Sequence, residues 1–472
     1  MFRLLVLVLF LLMSSPAWAA ELDGRNFSLA WGLPFVLILL SVALMPILNR
    51  RFWIHHHGKI FLFWTLTLVI PFAYIYGIST VFNEVLDCLL LEYLPFIILI
   101  TALYTVSGGI LVWGTLEGKP RNNLLILTIG TFLASLMGTT GAAMLLIRPL
   151  LRANEKRKYR SHSVLFLIFL VANIGGGLTP IGDPPLFLGF LQGVDFFWTI
   201  EHMAAPVLLN TLLLLGAFYG LDRFLYQKEL KTQGTGKALT LVRKKEKIVL
   251  YGKFNLLLLL LIVVTVVFSG VWKSNGYWQI GHTQLSYESL IRDIILSFIT
   301  LISLVKTPKP VRNGNEFNWE PILEVGKLFL AIFIAIIPVV IILKAGKEGA
   351  LAGLVNLVTD TQGHPINSLY FWVSGTLSSL LDNAPTYLVF FNLASGGDAQ
   401  FLMHEAPKTL LAISMGSVFM GALTYIGNAP NFMIKAIAEQ RNVKLPGFFR
   451  YTIYAALILV PIFTLDMLIF LY

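Results

Sequence analysis

An aspartate set between a glycine and two prolines inside an apolar run is a costly placement, and this chain lays out the phrase that holds it a second time with an asparagine in the aspartate's place. Leu178-Thr179-Pro180-Ile181-Gly182-Asp183-Pro184-Pro185 is matched 245 positions later by Leu423-Thr424-Tyr425-Ile426-Gly427-Asn428-Ala429-Pro430. A third polar interruption, Leu381-Asp382-Asn383-Ala384-Pro385-Thr386, lies in another apolar stretch. A carboxylate at mid-membrane costs roughly 3 kcal/mol or more and is usually kept for ion or proton handling, so Asp183 and Asp382 are the sharpest candidates. A helix broken at that depth leaves backbone groups without partners unless protein, water or an ion satisfies them. Carbonyls released before the breaks, together with carboxylate and amide oxygens, suit a hard cation such as sodium. Asp183 and Asn428 also read as N-caps with proline in the opening turn, and a half-helix N-terminus offers free N–H donors to an anion. Asn173, Asn383 and Asn428 supply neutral oxygens. A sodium site is expected at Asp183, Asp382, Asn383 and Asn428. Thr140, Thr179, Thr386 and Thr424 are weaker candidates, because threonine often satisfies its own helix's carbonyls.

Other polar groups call for plainer explanations. Arg148, Lys327, Lys344, Lys435 and Asp466 stand close enough to span ends to snorkel toward water. His55-His56-His57 beside Arg50, Arg51 and Lys59 suggests a headgroup-facing loop rather than a metal site. Gly175-Gly176-Gly177 lacks the following Gly-Lys-Ser/Thr of a phosphate loop and fits close helix packing or a flexible unwound segment. The single cysteine, Cys88, excludes an internal disulfide framework.

The elements that must position these groups are membrane spans. Hydrophobic residues make up 57% of the 472 and charged residues only 13%, with a mean hydropathy of +0.77, far outside the range of soluble domains. The formal net charge of +10 gathers in short loops between apolar runs, the positive-inside pattern, so no nucleic-acid partner is implied. Residues 1–20 carry Arg3, an apolar core and Ala17-Trp18-Ala19, the pattern of a cleaved signal peptide.

Charge alternation then predicts spans at 29–48, 60–82 and 94–114, a hairpin over 124–151 entering from the cytoplasm with Gly138-Thr139-Thr140-Gly141 at its tip, a broken span over 163–199 and a closing span over 203–226. After a basic linker at 227–253, the second half repeats the plan. Its spans are 254–272, 288–305 and 321–344, its hairpin 367–395 enters from outside, its broken span is 407–440 and its closing span 447–471. The expected fold is an all-α polytopic membrane protein with about ten spans, two re-entrant hairpins and two broken helices. Its halves, 21–226 and 254–472, form an inverted-topology repeat, with both mature termini periplasmic in a bacterial inner membrane.

The phrases Asn173-Ile-Gly-Gly-Gly-Leu-Thr-Pro-Ile-Gly-Asp183, Asp382-Asn-Ala-Pro-Thr386 and Gly427-Asn-Ala-Pro-Asn431 resemble the ion transporter superfamily, in particular sodium/proton antiporters of the NhaD type and citrate-transporter-like proteins of the CitMHS type. The resemblance covers most of the chain beyond the signal. It implies a scaffold domain from the earlier spans of each half, a transport domain from hairpins and breaks, a homodimer and an elevator-like shift. It also implies that the nine site residues named above form one central site. Carboxylate carriers of the superfamily commonly show Ser-Asn-Thr at the hairpin tips. This chain has Thr139-Thr140-Gly141 and Asp382-Asn383-Ala384 there, which favours cation handling.

The leading expectation is therefore sodium/proton antiport, with sodium and protons competing for the two aspartates and no bound cofactor. The alternative is sodium- or proton-coupled uptake of citrate or a similar carboxylate. An intramembrane enzyme is remote: it would need a nucleophile and base or a metal site, and His162 and His202 have no motif partner.

Overall fold

The computed structural model describes residues 22–114, 116–232, 247–274 and 276–472; the signal-peptide segment and most of the basic linker lie outside them. The described chain is overwhelmingly helical. Among the described residues, eight helices are long and apolar enough to cross a membrane by themselves. Two further crossings escape that criterion, Tyr287–Lys306 because charges interrupt it and residues 407–440 because they are broken in the middle.

In the first half, α1 (Leu33–Leu48) and α2 (Arg50–Tyr76) are followed by α3 (Ile78–Ser107). The first hairpin is α4 (Pro120–Met137) and α5 (Thr139–Ala153). A broken span, α6 (Ser161–Leu170) and α7 (Pro184–Leu191), leads to the closing α8 (Phe196–Thr232). The second half runs α9 (Phe254–Val271), α10 (Tyr287–Lys306) and α11 (Glu320–Lys344). Its hairpin is α12 (Asn367–Leu381) and α13 (Asn383–Ser395), its broken span α14 (Pro407–Phe419) and α15 (Ala429–Gln440), and its closing helix α16 (Phe448–Leu471). Two short antiparallel ladders sit outside the helices, Leu111–Trp113 with Val249–Tyr251 and Tyr277–Ile280 with Thr283–Ser286.

Three sequence expectations are corrected. The histidine triplet lies inside α2, where each ring Nδ1 bonds the carbonyl four residues back; a helix can begin at the membrane surface as well as a loop can. The third span starts at Ile78 rather than 94, because Gly77 at φ 91° ends α2 and nothing breaks the chain afterwards. The closing helix of the first half continues to Thr232, into the segment expected to be linker. Gln227 to Lys231 are good helix formers, and Glu229 is neutralised there by Arg157 Nε at 2.8 Å.

The inverted topology follows from where the hairpin mouths lie along α8, which at 37 residues is about 55 Å long. At its start, the backbone N–H of Asp195 donates to Met403 Sδ at 3.3 Å, beside the mouth of the second hairpin. Near its end, Asp222 accepts from Asn123 at the mouth of the first hairpin (2.9 Å). The two hairpins thus enter from opposite faces. The loops sort the same way: Arg148 of α5 and Arg441 after α15 both bind Glu316 (3.1 and 3.0 Å), whereas Arg25 meets Glu348 and Asp87 meets Thr283 at the opposite end. Burial raises the Glu316 carboxyl, and the two guanidiniums more than offset this, holding it below the usual carboxylate range.

Candidate functional site

The two halves bend their chain in the same way. The first hairpin turns at Gly138 (φ 77°, ψ 151°) and the second at Asp382 (φ 107°, ψ 143°), positions 244 apart in the sequence. Glycine adopts this region freely. An aspartate there stores on the order of 1–3 kcal/mol of strain, a cost that usually marks function. In each broken span a short 3-10 segment, Ile174–Leu178 or Met420–Leu423, gives way to extended backbone at Thr179 or Thr424. Asp183 (φ −142°, ψ 144°) and Asn428 (φ −152°, ψ 136°) then open α7 and α15.

Each break is stapled to its own hairpin by matching bonds. Thr179 Oγ1 donates to the Ser135 carbonyl and Thr424 Oγ1 to the Ser379 carbonyl, both at 2.5 Å. Gly182 lies so close to Gly176 that an added Cβ would stand 2.3 Å from its carbonyl oxygen, and Gly427 repeats this against Gly421 at 2.6 Å.

Asp183 is where the segments converge. Its carboxylate accepts from Thr139 Oγ1 (2.9 Å), Asn383 Nδ2 (2.5 Å) and Asn428 Nδ2 (3.1 Å), donors drawn from both hairpin tips and the opposite break. The residue is 1% exposed. Although placed as an N-cap, its side chain makes no capping bond. Pro184 and Pro185 have no N–H to offer, and the next two amides, of Leu186 and Phe187, bond the Asp183 carbonyl instead. The expectation of free donors at this half-helix N-terminus is therefore corrected: the prolines turn the carboxylate away from its own helix.

Asp382 is 5% exposed. It does cap its helix, with Oδ1 accepting from the Ala384 N–H at 3.2 Å, and its neighbour Asn383 carries the link to Asp183. Asn428 also donates to the Ala172 carbonyl (2.9 Å). Asn173 ties the breaks together, its Nδ2 donating to the Ile168 carbonyl and Asn431 Oδ1 (both 2.8 Å). Asn431 in turn donates to the carbonyls of Gly421 and Thr424 (2.9 Å each).

The threonines divide. Thr386 donates to the Asp382 carbonyl (2.8 Å) and so serves its own helix, while Thr179 and Thr424 are the staples. Thr140 lines a cavity of about 50 Å³ with Gly182, Asp183, Leu103 and Tyr104, space enough for a few waters or a small ion. Through Tyr104 and Gly141 it adjoins a smaller cavity reaching Arg148 and Asn315.

Sequence reasoning overlooked Thr139, Ser135, Ser379 and Asn431. Thr139 was recoverable, since the 244-residue offset that pairs Gly138 with Asp382 also pairs Thr139 with Asn383. The snorkelling expectation fails for Arg148 and Asp466, which are 7% and 0% exposed. His162 gains a partner invisible in the sequence, Asp222 Oδ1 at 2.9 Å.

Helical spans, paired hairpins and paired breaks around two buried acids describe a membrane carrier, and comparison with known proteins agrees. A family model described as "Putative citrate transport" matches residues 24–471. The chain belongs to this family. It is also similar to uncharacterized transporters of Mycobacterium bovis (23% identical over 353 residues) and Mycobacterium tuberculosis (22% over 344), and to a 46 kDa membrane protein of Mycobacterium leprae (23% over 339). Each match covers 71% of this chain and 73% of the relative. The protein is a multi-pass membrane transporter.

Proposed function

We propose that this family member exchanges sodium for protons, with Asp183, Asp382, Asn383 and Asn428 as the cation site and Thr140 on its approach. One observation carries the reading: two buried carboxylates sit among hydroxyls and carboxamides, and among the described residues no lysine or arginine bonds either of them. A polyanion would meet two uncompensated acids there, and the first half-helix lacks the amide donors that would hold it. A small cation meets oxygens. Sodium and protons that compete for one set of carboxylates are coupled without any further device.

The proposal extends to a bacterial inner membrane, with the Arg148–Glu316–Arg441 end cytoplasmic by the positive-inside rule and both mature termini periplasmic, and to a homodimer. A second reading, cation-coupled uptake of citrate, is favoured by the family's description.

Everted vesicles with a fluorescent proton-gradient probe separate the two. Sodium or lithium should discharge the gradient, and Asp183→Asn or Asp382→Asn should abolish the response. Silence toward sodium, lithium and potassium in inserted, folded protein, together with sodium-dependent citrate uptake, would overturn antiport in favour of carboxylate transport.

A further inference from the structure

The closing spans of the two halves, α8 and α16, meet at a polar pair that the ion site does not use. Asn210 and Asp466 are both 0% exposed. Asn210 Nδ2 donates to Asp466 Oδ2 at 2.7 Å and to the Pro206 carbonyl at 2.8 Å, which spends both amide hydrogens. Two atoms are left over, Asn210 Oδ1 and Asp466 Oδ1, each buried and each without a partner.

An ionised Asp466 would keep its charge in the membrane with one hydrogen bond and no counter-ion. Among the described residues no cation pairs with it. Of the charged groups on the neighbouring elements, His202 of α8 bonds the Trp198 carbonyl, Glu201 is exposed, Lys408 of α14 donates to the carbonyl of Tyr472, Arg450 lies about four turns back along α16, and Arg223, Lys228 and Lys231 lie more than three turns beyond Asn210 along α8. An uncompensated buried charge is expensive, and an unpaired buried acceptor adds to it. One hydrogen resolves both problems. Placed on Asp466 Oδ1, beside the carboxylate oxygen that Asn210 Nδ2 already reaches, it can donate to Asn210 Oδ1, and a reciprocal ring of carboxylic acid and carboxamide would then satisfy every polar atom of the pair. A metal cation does not do the same, because a hard cation takes about six oxygen ligands and this pair leaves only two side-chain oxygens unpartnered.

We propose that Asp466 is a second proton-binding site, separate from the Asp183–Asp382 centre and loaded in this conformation, with Asn210 as its positioning residue. Its surroundings connect it to the moving parts of a carrier. Met203 and Val207 of α8 press on Gly177 of the first break, where an added Cβ would meet them at 3.4 and 3.1 Å. Phe463 of α16 stacks on Phe419 before the second break (6.4 Å), and Tyr451 Oη donates to Ala422 within it (2.8 Å). A shift of either break changes the spacing of α8 and α16, on which the acid–amide ring depends, so the proton is kept or released with the conformation.

Infrared spectroscopy of the reconstituted full chain tests this without any transport assay, so its result is independent of the cargo. Wild type should show the carbonyl band of a protonated carboxyl group at neutral pH, downshifted in heavy water. The band should vanish in Asp466→Asn, whose amide can still pair with Asn210, and should shift in Asn210→Ser. It should persist in the Asp183→Asn/Asp382→Asn double variant. The shift in Asn210→Ser assigns the band independently should Asp466→Asn fail to fold. Absence of the band at neutral pH, its survival in folded Asp466→Asn, or its erasure by saturating sodium at constant pH would each overturn the proposal.

Discussion

Gly182→Ala is the sharpest test of the idea that the break geometry, rather than its polar residues alone, builds the site. The new Cβ would stand 2.3 Å from the Gly176 carbonyl oxygen. Ordinary contact begins at 3.4 Å, so one of the two backbone segments must retreat by about 1.1 Å, the difference of those distances. Neither is free to do so. The Gly182 carbonyl accepts from the Thr139 N–H at 2.8 Å, and the Gly176 N–H is held by Asn173. Forced overpacking of this kind costs about 1–3 kcal/mol, and the retreat moves the adjacent Asp183 relative to Thr139, Asn383 and Asn428. With 1.4 kcal/mol per tenfold, transport should fall by about 5- to 140-fold. Gly427→Ala, 2.6 Å from the Gly421 oxygen, should fail likewise. Gly216→Ala and Gly220→Ala in α8 have nothing within 4 Å and should be neutral, or stabilising by up to about 1 kcal/mol. Initial transport rates in vesicles and melting temperatures in detergent decide it. Wild-type transport by Gly182→Ala, or equal damage from Gly216→Ala, would refute the reasoning.

Two further outcomes are expected. Thr139→Val removes a bond to a buried carboxylate worth roughly 1.5–3 kcal/mol and should cut transport at least about tenfold, whereas Thr140→Val, which only lines the cavity, should stay within about threefold; both are read as initial rates at matched expression. Arg157→Met takes the guanidinium from Glu229 and leaves Asp222 with only Asn123 and His162; the two carboxylates lie 2.8 and 2.9 Å from it with all three side chains almost fully buried, so the change should cost about 3–5 kcal/mol. By contrast, Arg441→Met breaks a half-exposed pair and should cost less than about 1 kcal/mol. Thermal unfolding in detergent compares the two.

Most of the site's skeleton is legible in the sequence because breaks and acids are conspicuous against apolar runs. The repeated phrase locates both broken spans, and charge alternation locates both hairpins. What stays hidden is whatever depends on a distant partner or on a single backbone angle. Asp466 resembles a snorkelling end residue until Asn210, 256 positions away, is placed beside it. Thr139 and Thr140 are equivalent by type, and only the turn at Gly138 decides which hydroxyl faces Asp183. The capping role expected of Asp183 is cancelled by its own two prolines, since a cap needs an N–H to accept from. The third span's start is hidden for the reverse reason: it contains charges but no conformational break.

The near-symmetry of the halves is abandoned at the positions that carry charge. Gly138 is matched by Asp382, Thr139 by Asn383 and Asp183 by Asn428, so the first half supplies its acid from the break and the second supplies its acid from the hairpin tip. A two-fold operation would replace each carboxylate by a glycine or an amide. One acid, Asp183, therefore collects donors from both hairpins and from the opposite break, while Asn173 and Asn431 bind the two breaks to each other. Sliding any one of these four segments past the others would leave a buried carboxylate or carboxamide unpaired, at about 1–3 kcal/mol for each lost partner. Motion of all four together breaks none of these bonds. The hydrogen bonds that build the site thus also tie both hairpins and both breaks into one unit, and the cavity beside Thr140 lies between the first hairpin tip and Leu103 and Tyr104 of α3.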